Sequence, residues 1–231
     1  MLILAHRGAS AYAPENTGAA FCKAIACGAD GVELDVRLTK DRQMVVHHNL
    51  DIRETSNGSG EIWDMTLSEL RRFDFGSWKG REFAGEGILT LEEALLLVKD
   101  MVVINIELKA EARPVSNLPE LACALIKKMG LSRKVLFSSF QHGTAMACKK
   151  RLPQAKVGLL YSRPLFRPVA YARRLGADAL HPYKYLVTPG LIRRAHRAGL
   201  MVNTWTVDKP DWIRRFARWG CDAVITNTPG R

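Results

Sequence analysis

Residues 28–36 read GADGVELDV, and two later stretches echo their beginning, GADAL at 176–180 and GCDAV at 220–224. Each reads as the same joint: a helix ends, a glycine takes the left-handed cap, the aspartate turns the chain, and an apolar run begins a buried strand. That is the chemistry of an αβ loop, not of a solenoid repeat. Working outward, short runs rich in Val, Ile and Leu place strands near 2–5, 31–36, 102–107, 135–138, 156–160, 178–181, 201–205 and 222–225. Their starts lie 21–33 residues apart, which suits one crossover helix each, except for a single gap of 71. Eight strands alternating with helices predict an α/β fold, a (β/α)8 TIM barrel rather than an open doubly wound sheet.

The long gap holds something extra. Val45-Val46-His47-His48 reads as a second arm after the second strand, and Asn57-Gly58-Ser59-Gly60 as a flexible turn. Thr66 or Ser68 begins a short helix, and Thr90 with Glu93 forms a capping box for the next one. Residues 1–231 therefore read as one barrel domain, with a small cap inserted at about 49–88 over one mouth.

Of the 231 residues, 47% are apolar and 25% charged, the balance of a globular chain rather than a disordered or collagenous one. No apolar stretch approaches the ~18 residues of a membrane span. The opening Met1–Ala5 is too short and too uncharged for a secretory leader and reads as a buried strand. Five cysteines without a C-x-x-C pair indicate neither a disulfide framework nor a zinc ribbon, and point to a reducing, cytoplasmic setting. The net charge of +11 is uneven: residues 1–115 carry −5 and residues 116–231 carry +16. The basic excess sits on helix-like segments such as Arg193-Arg194-x-x-Arg197 and Arg214-Arg215-x-x-Arg218, a solvated face or a weak anionic-surface contact. No aromatic interleaving and no nucleic-acid-binding motif accompany it, so no nucleic acid partner is expected. Nothing in the sequence sets an oligomeric state.

In a barrel the carboxyl ends of the strands face the active site. The polar residues there are His6 and Arg7, Glu33 and Asp35, Glu107 and Lys109, then Ser138, His181, Asn203, Trp205 and Asn227. Glu33 and Asp35 are two apart on a strand, so they share a face. Adjacent carboxylates repel unless neutralised, which a hard divalent cation does well, with Glu107 as a third oxygen donor. All-oxygen ligation favours magnesium or calcium over zinc. The same spacing also fits plain ion pairs with Arg7 or Lys109. Arg7 suits bidentate binding of a phosphate. His6 and His48 follow apolar strands and qualify as general acid and base; His47 points the opposite way. His181 is a weaker candidate for the pocket lining, and His196 falls in an arginine-rich helix. There is no nucleophile elbow, phosphate-binding loop or zinc-protease motif.

With these residues in view the chain resembles the glycerophosphodiester phosphodiesterases, most closely their short cytoplasmic bacterial form. The matching pieces include AHRGASAYAPENT (5–17), GADGVELDVRLTKD (28–41), VVHHNL (45–50), DMTLSEL (64–70), LTLEEAL (89–95), NIELK (105–109), SSF (138–140), ALHPYKYL (179–186) and VNTWTV (202–207), in family order over nearly the whole chain. The resemblance implies a TIM barrel with a small cap and a divalent cation, Mg2+ or Ca2+, on Glu33, Asp35 and Glu107. It further implies His6 and His48 as the acid–base pair, Arg7 and Lys109 on the phosphate, and Trp205 against the glycerol. The implied substrate is a glycerophosphodiester, cleaved to sn-glycerol 3-phosphate and an alcohol. Alternatives left open are a lysophospholipase D- or phospholipase C-like barrel at a membrane surface and a non-catalytic phosphoester-binding barrel. Three positions depart from the family pattern. Asn49 stands where an aspartate is usual after the second histidine, Asn227 where an aspartate is frequent, and Leu89 where a proline is frequent.

Overall fold

A computed structural model describes residues 1–109 and 117–230. The strands are β1 (Leu2–His6), β2 (Gly31–Leu38), β3 (Met44–Val46), β4 (Val103–Leu108), β5 (Val135–Ser139), β6 (Lys156–Tyr161), β7 (Ala179–Pro182), β8 (Met201–Thr204) and β9 (Ala223–Thr226). The helices are α1 (Gly18–Ala26), α2 (Leu67–Leu70), α3 (Leu91–Val98), α4 (Leu118–Lys128), α5 (His142–Arg151), α6 (Pro168–Leu175), α7 (Pro189–Arg197) and α8 (Pro210–Trp219). Eight strands run parallel, and β1 pairs with both β2 and β9, which closes the sheet into a barrel. The eight expected strands are the eight barrel strands. The extra arm, β3, folds back antiparallel on β2, pairing Val46 with Val36.

The echoed joint has a specific physical job. Gly176 and Gly220 cap α6 and α8 in the left-handed region at φ 79° and 82°. In all three copies the aspartate accepts a main-chain N–H near the start of the neighbouring strand: Asp30 from Ile3 at 2.8 Å, Asp178 from Val157 at 2.8 Å, and Asp222 from Val202 at 2.7 Å. The carboxylate thus accepts from a strand amide and ties each joint to the adjacent strand, which helps to fix the stagger between them.

The register then positions the chemistry. His6 lies opposite Glu33, Glu33 opposite Asn105, and Asp35 opposite Glu107, so five polar positions of β1, β2 and β4 stack at one end of the barrel. The other faces of these strands bury Val32, Leu34, Ile104 and Ile106 against the helices. Each such side chain contributes about 1.5–3 kcal/mol through burial. Between β3 and α3 the chain builds a separate small cluster of Val45, Ile52, Ile62, Leu70, Phe75 and Ile88, on which the inserted segment rests. Thr66 caps α2 and Thr90 caps α3, each with its reciprocal glutamate, Glu69 and Glu93. The insertion is tied to the first βα loop by Lys79, which donates to the Ser10 carbonyl at 2.8 Å. The arginines named by the charge pattern, on α7 and α8, and Arg173 and Arg174 of α6 lie exposed on the outer surface. No helix among the described residues is long and apolar enough to cross a membrane.

Candidate active site

At the carboxyl end of the strands lies a cleft of ≈ 450 Å³, whose lining includes His6, Arg7, Glu33, His48, Glu107, Lys109 and Trp205. Seven of the eight side chains singled out from the sequence therefore border one opening. The eighth, Asp35, is buried at 1% exposure and paired with two of the others.

β1 delivers His6 and then breaks. Arg7 takes φ 56° and Gly8 φ 79°, and the chain folds over the start of α1. A Cβ at Gly8 would fall 2.7 Å from the Ala20 backbone, so only glycine fits this close crossing. The turn aims the Arg7 guanidinium back over the barrel. Its Nε lies 3.3 Å from Asp35 Oδ2, and its Nη1 donates to both oxygens of Glu15 at 2.9 and 3.1 Å. Its main-chain N–H also donates to Glu33 Oε2 at 3.2 Å. Asn16, itself at φ 60°, donates to Asp35 Oδ2 at 2.9 Å. Lys109 Nζ stands 2.9 Å from Asp35 Oδ1 and donates to Glu107 Oε1.

The three carboxylates converge: one oxygen from each of Glu33, Asp35 and Glu107 lies within 4.8 Å of the others, and all three residues are buried. Burial, Asp35 and Glu107 raise the Glu33 carboxyl well above its ordinary range, and burial with Asp35 raises Glu107. Burial acts on Asp35 in the same direction, but Lys109, Arg7 and His48 outweigh it and hold that carboxyl low. Counting Glu15, four acids share two bases, so negative charge is left unmet in a buried site, a deficit suited to a cation. Asn105 strengthens the fit. The residue lines the same cleft opposite Glu33, and its Oδ1 is buried with no hydrogen-bond partner among the described residues, so a further hard oxygen is available beside the acids.

The two histidines flank this cluster. His6 Nε2 is 3.9 Å from Glu33 Oε2, and its Nδ1 meets Asn227 Oδ1 at 2.7 Å. His48 follows β3, its carbonyl fixed by Arg37 at 2.9 Å and its Nδ1 meeting Asn49 Oδ1 at 2.7 Å. Burial pushes both imidazoles down to about 4, so both are neutral at neutral pH. His47 points the other way, bonded to Thr55 and the Asn49 carbonyl. The far wall is apolar: Trp205, anchored through its N–H to the His181 carbonyl at 2.8 Å, packs edge-on against Phe140.

His181 corrects one sequence expectation. It does not border the cleft. It is fully buried in the barrel interior, where Gly158 of the neighbouring strand leaves the space: a Cβ there would sit 2.3 Å from its Nε2. Asn105, Glu15, Asn16 and Phe140 belong to the site, yet the sequence reading passed over them. Asn105 carried a usable signal, since it sits two residues before Glu107 and so on the same face.

Known proteins match this chain along its length. The pattern of the Glycerophosphoryl diester phosphodiesterase family covers residues 6–231. A glycerophosphodiester phosphodiesterase of Caldanaerobacter subterraneus subsp. tengcongensis is 40% identical over 99% of this chain and 94% of its own. The structure of an Oleispira antarctica phosphodiesterase, in complex with the product sn-glycerol-3-phosphate, superposes with a TM-score of 0.87 at 30% identity, over 99% of this chain and 94% of that one. A glycerophosphodiester phosphodiesterase from Agrobacterium tumefaciens superposes with a TM-score of 0.87 at 27% identity, over 99% and 97%. A closed (β/α)8 barrel whose acids, bases and imidazoles meet at one mouth, matched end to end in this way, places the chain in the glycerophosphoryl diester phosphodiesterase family.

Proposed function

We propose that this chain, a phosphoric diester hydrolase by family, cleaves glycerophosphodiesters to sn-glycerol 3-phosphate and an alcohol, with one divalent cation and two histidines. The convergence of Glu33, Asp35 and Glu107 beside His6 and His48 carries the reading. The product bound in the Oleispira relative supports the substrate class.

Glu33, Asp35 and Glu107 would hold the cation, Mg2+ or Ca2+, with Asn105 Oδ1 as a fourth oxygen. When bound, the ion supplies positive charge against the phosphate oxygens. Arg7 and Lys109 act on the same oxygens. The Nη2 of Arg7 has no hydrogen-bond partner among the described residues, and Lys109 keeps a third proton beyond those directed at Asp35 and Glu107. Both bases are held charged by Asp35, so they stay cationic while charge builds on five-coordinate phosphorus. One imidazole takes the proton from the attacking hydroxyl and the other gives a proton to the departing alcohol. Water attack gives glycerol 3-phosphate directly, whereas attack by the neighbouring glycerol hydroxyl gives a cyclic phosphate that a water then opens, one ring oxygen leaving with a proton. The low proton affinity of the buried imidazoles suits the base. The anionic substrate raises it again and so loads the acid. The apolar wall of Trp205 and Phe140 receives the glycerol carbons. A cytoplasmic location accompanies this reading, supported by five free cysteines.

The test is release of glycerol 3-phosphate from glycerophosphocholine and glycerophosphoethanolamine, with and without chelator. The expected result is release that chelation abolishes and Mg2+ or Ca2+ restores. Full activity of protein shown metal-free by elemental analysis would refute the metal role, and no release from any glycerophosphodiester would refute the substrate class.

A further inference from the structure

His6 and His48 reach the cleft from different strands, yet they are held in the same way. Each presents Nδ1 to the side-chain oxygen of an asparagine, Asn227 and Asn49, at 2.7 Å in both cases. An amide oxygen only accepts, so each ring donates its Nδ1–H, and each Nε2 is left as the lone pair. That conclusion depends on which way round each amide stands, and in both cases a carboxylate decides it. Asn49 Nδ2 donates to Glu54 Oε2 at 2.7 Å. Asn227 Nδ2 donates to Asp208 Oδ2 at 2.9 Å, its main-chain N–H donates to Asp208 Oδ1 at 2.7 Å, and Ser10 Oγ donates to its Oδ1 at 2.9 Å. A flipped amide would face its oxygen to a carboxylate oxygen, and this repulsion excludes the one orientation in which the NH2 could donate to a bare Nδ1.

The arrangement separates two effects that a carboxylate on Nδ1 would combine. A carboxylate there would orient the ring and also favour its charged form. An amide orients without adding charge, and the acid that fixes the amide stands one step away. At both positions an acid stands behind the amide.

We propose that Glu54 and Asp208 are positioning residues that act through Asn49 and Asn227 to lock both imidazoles in the Nδ1–H form, so that Nε2 is the atom that moves protons. The proposal rests on the reading of His6 and His48 as the proton-transfer pair. It is tested on the full chain in magnesium buffer by 15N NMR of labelled histidine, alongside steady-state kinetics with glycerophosphocholine. In the native protein both rings should show a protonated Nδ1 and a bare Nε2. Glu54 is exposed, so Glu54→Ala should fold. It should turn His48 into a mixture of tautomers and lower kcat about tenfold with KM little changed. Glu54→Gln should restore both, because its amide oxygen still accepts from Asn49. Asp208→Asn, which keeps the shape but removes one acceptor, should mix the His6 tautomers in the same way. A native spectrum with Nε2 protonated on either ring would overturn the proposal, as would Glu54→Ala with native spectrum and native kcat. The spectrum reads the rings directly, so its outcome stands apart from whether the histidines are catalytic, which their alanine variants decide.

Discussion

The two halves of the barrel do different work at the same mouth. β1 to β4 and their loops supply the ionised or titrating groups on the cleft: His6, Arg7, Glu33, His48, Glu107 and Lys109, with Asp35 behind them. The second half lines it with Phe140, Leu160, Trp205, Thr206 and Ile225, none of which carries charge. Yet outside the cleft the second half is the strongly basic one, its arginines spread over α6 to α8. Net charge of a segment thus says little about where charge acts. In the first half the charges are buried and cancel one another, which makes each strong and leaves a small deficit that a cation fits. On the outer helices they are solvated, screened and cheap. The half that is poorer in net charge holds the electrostatics of the site.

The largest effect that separates the halves is on turnover. His6→Ala or His48→Ala should leave a folded protein with kcat lowered at least about a hundredfold, since each removes a proton transfer worth ~10²–10⁴. Circular dichroism together with glycerol 3-phosphate release checks this, and near-native kcat in both variants would erase the assigned division of labour. An intermediate effect is expected across the cleft. Trp205→Ala removes apolar contact that ground state and transition state share, so it should raise KM about tenfold and change kcat less than about threefold. A fall in kcat as large as that of the histidine variants would mean that the neutral wall takes part in the chemistry.

Much of this was legible in the sequence, because strand chemistry is local. Period-two spacing put Glu33 and Asp35 on one face, and the barrel rule put strand-end residues at one mouth. That is why eight strands and a set of strand-end polar side chains could be placed from the sequence, which the family resemblance then narrowed to eight. What escaped depends on neighbours distant in sequence. Glu15 and Asn16 enter the site only because Arg7, Gly8 and Asn16 adopt positive φ and wrap the loop back over the acids. The brace of His6 escaped for a related reason. Asn227 meets His6 across 221 residues, and the Asp208 carboxylate that orients it lies on another loop. His181 sits at a strand end like His6, yet it turns into the interior because β6 offers Gly158 beside it, a fact about another strand. Asn105 was passed over because an amide bears no charge, although its spacing from Glu107 marked the face.

His181 gives the smallest effect and the finest probe of the contrast, because it is the imidazole of the neutral half that lies inside the barrel. Burial pushes it down to about 3, with its Nε2 accepting from Asn203 at 3.0 Å, so in the folded chain it stays neutral across the whole physiological range. In the unfolded chain a histidine titrates near pH 6.5. The unfolded state therefore binds the extra proton, and the stability tied to this group is full above about pH 7 and is lost as pH falls, down to about pH 3. Between pH 7 and pH 6 the loss from this one ring is about 0.7 kcal/mol by linkage. His47, pushed down to about 4 by burial, adds a similar slope of its own. Urea unfolding at the two pH values should show His181→Gln losing about 0.7 kcal/mol less than the native chain over that interval, whatever its starting stability. Equal losses in the two proteins would mean that His181 is charged inside the barrel. The second half would then hold a buried cation, and its neutrality, on which the contrast of the two halves depends, would fail.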